Sequence, residues 1–359
     1  MQDRPRSSGA RVDLWGRPWG WLFVLLGGAA ALRIVALSDA PRPNAHVVGA
    51  AWAIVHGGPH GEGGFAYLLA PLQRLCSEPS YETARGLVLA LGVLGVAAAW
   101  WLGRAAYGTA AAFVAGAAVA VDTAHVFASR EVVAAVPLAA LCAIALALLA
   151  AGRIEWAGAV AGLAAAVDFP GWLLVVPILA VAWGVWRRVG IAVALTAVLS
   201  APAWFTLGDR FGAGGPSWPR LLWDGLGPVL AIAAAGFIGA VAMRSRADIA
   251  LASFVAAYGV YLLAATDHRA RYTLPLVPAL GALAGRFRAL APVALLLLVL
   301  PMTWSIRDAR DLQKASTMGR GETAGSPHRA RAGGVVAGRL RLLERRDEGR
   351  RRGRAETGL

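Results

Sequence analysis

Titratable side chains are sparse between the ends of this sequence, and most of the acids and histidines fall in a few short stretches. Asp39, Asn44, His46, His56, His60 and Glu62 share one. Asp122, His125, Arg130 and Glu131 share a second, Asp168 stands apart, and Asp209, Arg210 and Asp224 follow. The last stretch holds Asp267, His268, Arg269, Arg271 and Tyr272. Carboxylates can take a proton from an attacking hydroxyl, and arginines match phosphate oxygens with a planar fork of donors. The pattern therefore points to phosphate recognition by Arg269 and Arg271 beside Tyr272, with Arg130 as a second candidate. Asp39 is the leading candidate base, although a helix-end role would suit it equally. Glu62 sits in a Gly-rich run, and Asp168-Phe169-Pro170-Gly171 has local turn chemistry that suits a cap. His46, His56 and His60 do not make a regular helical pair, because Gly57, Gly58 and Pro59 intervene, so they read as polar loop residues and not as metal ligands. Cys76 and Cys142 fall in a loop and in an apolar segment, which gives no disulfide or metal framework. No phosphate-binding glycine loop occurs, since the 43 glycines are spread through apolar segments where they serve packing.

The elements that must carry these residues are set by composition. The chain has 359 residues, 58% hydrophobic and 16% charged, with a mean hydropathy of +0.57. A soluble domain is about 45–50% apolar and about 25% charged. These figures exclude a soluble enzyme, a disordered tail protein and a disulfide scaffold, and leave an all-α, polytopic transmembrane bundle. Eleven apolar stretches read as spans, near 19–37, 84–103, 107–126, 131–151, 154–169, 171–187, 189–207, 225–243, 248–265, 271–285 and 289–305. Placing the N-terminus in the cytoplasm gives alternate loops Arg104, Arg153, Arg187 with Arg188, Arg244 with Arg246, and Arg286 with Arg288, all short and basic. The titratable stretches then face the exoplasmic side. The organisation is a cytoplasmic segment 1–18, a transmembrane domain 19–306 and a basic tail 307–359. That tail holds 14 Lys+Arg against 7 Asp+Glu, so half of the net charge of +14 lies there and the total is no nucleic-acid signature. Eleven spans put the tail outside, against the usual charge preference. Trp15, Trp19, Trp100, Trp186 and Trp218 read as interfacial anchors.

The first outer loop, 38–83, is long for a chain whose other loops are minimal. Within it NAHVVGAAWAIVHG (44–57) sets Val47, Val48, Ala51, Trp52 and Val55 on one helical face, and FAYLLAPLQRL (65–75) follows a Gly-rich linker. Both pieces are too short to span and predict amphipathic helices at the interface.

The order of these features resembles the GT-C superfamily of glycosyltransferases that use polyprenyl-phosphate sugars, in the branch of protein O-mannosyltransferases and lipid A aminoarabinose transferases. Leu32-Arg33 ends the first span; an amphipathic helix ends in His56-Gly57-Gly58; Tyr67-Leu68-Leu69-Ala70-Pro71-Leu72 follows. The run 82–108 is similar to the family's second span with its Leu-Gly-Arg turn, and Ser129-Arg130 follows the third. His268-Arg269-Ala270-Arg271-Tyr272-Thr273-Leu274-Pro275, with Pro278, resembles a late Arg-Tyr-x-x-Pro-x-x-Pro stretch.

The resemblance implies a GT-C-like bundle that transfers a sugar from a polyprenyl-phosphate donor to an exoplasmic glycan, lipid or protein. It implies the bilayer, the lipid-linked sugar and the acceptor as partners, no nucleic acid, and a place in the inner membrane of the cell envelope. Site residues are then Asp39 and Asn44 for catalysis, and Arg269, Arg271, Tyr272 and Arg130 for the donor phosphate. His46, Glu62, Asp122, His125, Glu131 and His268 line the substrate pocket. The family carries an acidic pair at the start of its first-loop helix, thought to act as base or to help hold a divalent cation such as Mg or Mn. Here that position reads Asn44-Ala45, and an amide neither takes a proton nor balances a cation's charge. Either another acid substitutes, or the chain is a degenerate relative that acts as a membrane partner or lipid-handling transporter. No internal repeat supports transport.

Overall fold

The computed structural model describes residues 18–35, 37, 44–57, 64–181, 186–200, 222–223, 225–243, 245–264 and 270–307. Asp39, His60, Glu62, His268 and Arg269 lie outside the described residues, as do the N-terminal segment and the basic tail. Among the described residues there is no strand.

The helices are α1 (Pro18–Ile34), α2 (Ala45–His56), α3 (Gly64–Gln73), α4 (Tyr81–Tyr107), α5 (Thr109–Val121), α6 (Thr123–Ala128) and α7 (Ala135–Ala150). They continue as α8 (Ile154–Val167), α9 (Val175–Val181), α10 (Trp186–Leu199), α11 (Val229–Met243), α12 (Arg246–Ala264), α13 (Leu276–Ala284) and α14 (Ala291–Leu297). Short 3-10 turns at Phe169–Leu174 and Ala270–Thr273 precede α9 and α13. Each of the eleven apolar stretches contains a described helix, and α4 and α12 are individually long and apolar enough to cross a membrane.

Helix α4 is the hub, packing on α5 and α7; α5 continues onto α13, α7 onto α8, and α8 onto α10. Small residues set these distances. A Cβ at Gly281 would lie 2.9 Å from the Ala115 Cα, and at Gly158 it would run into the Ala192 backbone, so α13 and α10 approach their neighbours backbone to backbone. The outside of the bundle is apolar: Phe23, Val24, Val198, Ile238, Val260, Leu263 and Leu296 are all exposed. Such an exterior is stable only against hydrocarbon, where every backbone group must be satisfied within the protein. The chain is a helical membrane protein.

The two expected amphipathic helices form. Val48 and Ala51 bury the inner face of α2, and α3 buries Phe65, Ala66, Leu69 and Ala70 while Tyr67 and Leu68 stay exposed. Gly64 is required at the start of α3, because a side chain there would strike the Ala166 carbonyl near the end of α8. The first loop is thereby wedged onto the bundle.

The third apolar stretch, 107–126, differs from a continuous span. It breaks at Asp122, whose extended ψ of 119° stops α5 and whose carboxylate caps α6 by accepting from the His125 N–H at 2.7 Å. Asp168 is the turn and cap residue expected, accepting from the Phe169 N–H at 2.8 Å.

Candidate functional site

The break at Asp122 exposes the last carbonyls of α5 inside an apolar bundle, where each unsatisfied group is costly. Arg33 resolves this. It is fully buried, and all five of its N–H groups find acceptors. Nη1 donates to the Ala29 and Ala120 carbonyls at 3.0 and 3.3 Å, and Nη2 to the Val119 carbonyl at 3.1 Å and to His125 Nδ1 at 3.0 Å. Nε donates to Ser129 Oγ at 3.3 Å. Because Arg33 can only donate, His125 Nδ1 accepts and the ring proton sits on Nε2. Ser305 completes the repair by donating to the Val121 carbonyl at 2.9 Å. Gly92 and Gly95 on α4 make room: a side chain at the first would strike Ser129, and a Cβ at the second would lie 3.5 Å from His125 Nε2. Arg33 and the equally buried Arg85, each near the end of an apolar stretch, turn inward.

This braced corner positions the linker between α6 and α7, Ser129 to Ala134. Asn44 sits in the left-handed region (φ 59°), the one non-glycine residue there among the described residues, and its amide nitrogen donates to the Val132 carbonyl at 3.1 Å. The Val132 N–H donates to Tyr81 Oη at 3.4 Å. Asn44 thus ties the first loop to the linker through a bond that a carboxylate could not donate.

Arg130 and Glu131 leave this linker in different directions. Arg130 is 1% exposed and donates through Nη2 to the Leu32 carbonyl at the end of α1, with Phe127 against its guanidinium at 5.2 Å. Its Nε and Nη1 are buried without a partner. Burial lowers its pKa from the ordinary arginine value. Glu131 is half-buried and lies within the fields of Arg271 and Arg85; burial pushes its carboxyl above the ordinary range, and those two arginines pull the other way. Arg85 donates to the Leu37 carbonyl at 3.0 Å, pairs with Glu82 at 3.3 Å and lies over the Tyr81 ring at 4.9 Å. Arg271 lies over the Tyr272 ring at 5.4 Å, and the Tyr272 carbonyl accepts from Tyr258 Oη at 2.9 Å.

The structure therefore gathers Asn44, Arg130, Glu131, Arg271 and Tyr272 around one end of the bundle, with Asp122 and His125 beneath as braces. His46 and His56 stay exposed on α2, and His56 Nδ1 donates to the Trp52 carbonyl at 2.9 Å. Arg33, Arg85, Ser129 and Tyr81 join the site although their residue types singled out none of them. Among the described residues no three His, Cys, Asp or Glu side chains converge as metal ligands. The described residues at this end therefore supply no such ligand set.

No family model matches the chain, and no curated protein matches it. Solved structures do. ArnT from Cupriavidus metallidurans, a lipid A aminoarabinose transferase bound to undecaprenyl phosphate, superposes with a TM-score of 0.59 at 20% identity, over 74% of this chain and 59% of that one. The Archaeoglobus fulgidus oligosaccharyltransferase, tethered to an acceptor peptide containing the NVT sequon, gives 0.58 at 13% identity, over 82% and 55%. This chain thus spans under two thirds of the length of either. At such identities the likeness is one of fold alone: this chain shares the helical membrane-protein architecture of these two proteins.

Proposed function

We propose that the protein is a membrane glycosyltransferase that takes a sugar from a polyprenyl-phosphate donor and passes it to an acceptor on the exoplasmic side. The observation that carries this reading is Arg130, a buried guanidinium with two unpartnered nitrogens close to Arg33. An unpaired buried charge is costly, and a phosphate accepting from that edge would repay it. This reading puts Arg130 ahead of Arg271, because the Arg130 edge is unpartnered while Arg271 lies in the field of Glu131.

Supporting it, an apolar cavity of about 290 Å³ lies between α11, α12 and α13, lined by Leu222, Leu230, Phe237, Val255 and Leu276 among others. Leu276 follows Tyr272 by four residues, so a lipid whose phosphate reaches Arg271 or Arg130 has apolar lining for its prenyl chain close by. The sided arrangement of arginines supports exoplasmic placement, with Arg153, Arg188, Arg246 and Arg286 at the opposite end.

The test is binding of undecaprenyl phosphate to the full chain in nanodiscs. Saturable binding that Arg130→Gln weakens about 10–150-fold, the 1.5–3 kcal/mol of a charge-assisted contact, supports the reading. Binding unchanged in that variant sinks it. The second reading, a non-catalytic relative, rests on Asn44, whose amide occupies the place of the family's acid. It predicts lipid binding without turnover of any polyprenyl-phosphate sugar.

A further inference from the structure

We infer that Glu131 is the general base of the transfer, supplying from the α6–α7 linker the carboxylate that position 44 lacks. This rests on the reading above and adds the residue that would take the acceptor's proton.

The inference follows from what each carboxylate at this end already does. Asp122 caps α6 and Asp168 caps the turn after α8. Glu82 pairs with Arg85, and Glu78 is fully exposed on the loop before α4. Glu131 alone among the described carboxylates at this end is half-buried with no hydrogen bond or ion pair holding its oxygens, although Arg85, Arg271 and Tyr81 surround it. Its place is fixed by its neighbours: Val132, the next residue, is gripped on its carbonyl by Asn44 and on its N–H by Tyr81. The residue that replaced the acid therefore docks one position from another acid. Arg130 turns to α1 while Glu131 faces α4 and the turn at Arg271, so a leaving phosphate and an attacking hydroxyl have separate attendants.

The step balances. The acceptor hydroxyl oxygen bonds to the anomeric carbon, its proton passes to a Glu131 oxygen, and the anomeric carbon–phosphate oxygen bond breaks. The polyprenyl phosphate departs with the electron pair, held by Arg130. The carboxylate must start ionised, so the rate rises with pH through its pKa. Burial already places that value above the ordinary glutamate range, against the pull of Arg271 and Arg85. A bound phosphate adds negative charge nearby and pushes it higher, so the acid limb of kcat should lie above that of kcat/KM.

The experiment uses the full chain in nanodiscs with undecaprenyl-phosphate pentose and hexose and water as the acceptor hydroxyl, reading release of undecaprenyl phosphate across pH and its binding in parallel. Glu131→Gln should slow release about 10²–10⁴-fold and abolish the acid limb, with lipid affinity and melting temperature near the parent's. Glu131→Asp should regain part of the rate and keep the limb. A Glu131→Gln protein that turns over normally overturns the inference, as does one that loses lipid affinity as Arg130→Gln does, because Glu131 would then only be balancing charge. A parent that binds undecaprenyl phosphate through Arg130 but releases none from either donor overturns the base and leaves the lipid site standing. A parent that does not bind the lipid overturns the lipid site first, and the base with it.

Discussion

The two ends of the bundle treat their charges in opposite ways. At the end away from the linker, Asp248 and Arg286 pair through two hydrogen bonds of 2.9 and 3.1 Å, and Tyr107 donates to the same carboxylate at 2.8 Å. Ser245 and Asp248 cap α12 reciprocally, each accepting from the other's N–H at 3.1 Å. The Arg286 guanidinium is flanked by the Tyr107 and Phe287 rings, each 5.5 Å away. The carboxylate partner raises the Arg286 pKa. That network closes on itself and binds α4, α12 and the end of α13 together. At the other end Arg33 is saturated, but Arg130 keeps two buried nitrogens without partners and Glu131 keeps its oxygens unbonded. A polar cluster that satisfies itself holds a fold; one that leaves buried donors open is arranged for something else.

Breaking the closed end should have the largest effect. Asp248→Ala strands Arg286 and Tyr107 and should cost about 3–5 kcal/mol, seen as a fall in melting temperature with undecaprenyl phosphate affinity unchanged. A fall in affinity without a fall in stability would erase the contrast between the ends. Next comes Arg130→Met, which should move the two observables in opposite directions. Lipid affinity falls about 10–150-fold, while the unliganded protein gains stability or holds it, because a buried unpaired charge has been removed. Strong destabilisation would make Arg130 a structural residue like Arg33. Asn44→Asp should have the smallest effect. It loses a donor to the Val132 carbonyl and sets a carboxylate against that oxygen, for about 1–2 kcal/mol of stability. Unaltered stability would show that the first loop does not depend on this tie. Sidedness is checked separately with Cys76→Ser proteins carrying Glu78→Cys or Arg153→Cys: an impermeant maleimide applied from outside should label only the first.

Much of this was legible in the sequence. The apolar runs marked every helix-bearing stretch, and the two short amphipathic pieces were readable from 3.6-residue periodicity. Arg130, Glu131, Asp122, His125, Arg271 and Asn44 stood out as polar residues among apolar ones. The division of labour between them did not. An arginine at the end of an apolar stretch has the same sequence context whether it reaches water or turns inward, so the burial of Arg33 and Arg85 was not readable from it. Their burial follows from which helix ends meet, and that depends on Gly92 and Gly95 leaving space on α4. The helix break at Asp122 was equally hidden, because its cost is met by Arg33 and Ser305, 89 positions before and 183 after it.

That break has a consequence for the surrounding lipid. At 1.5 Å per residue the 13 residues of α5 rise only about 20 Å, against a hydrocarbon layer of about 30 Å. If α5 starts at the cytoplasmic interface, as the basic turn at Arg104 predicts, its end at Asp122 lies below the plane of a flat outer leaflet. On the lipid-binding reading proposed above, a phosphate held at Arg130 would either sink beneath its neighbouring headgroups or be met by a leaflet that dips around the protein. Thin bilayers relieve this mismatch and thick ones increase it, at fractions of a kcal/mol per ångström. The acyl length of the host membrane thus becomes a determinant of how readily the lipid is captured.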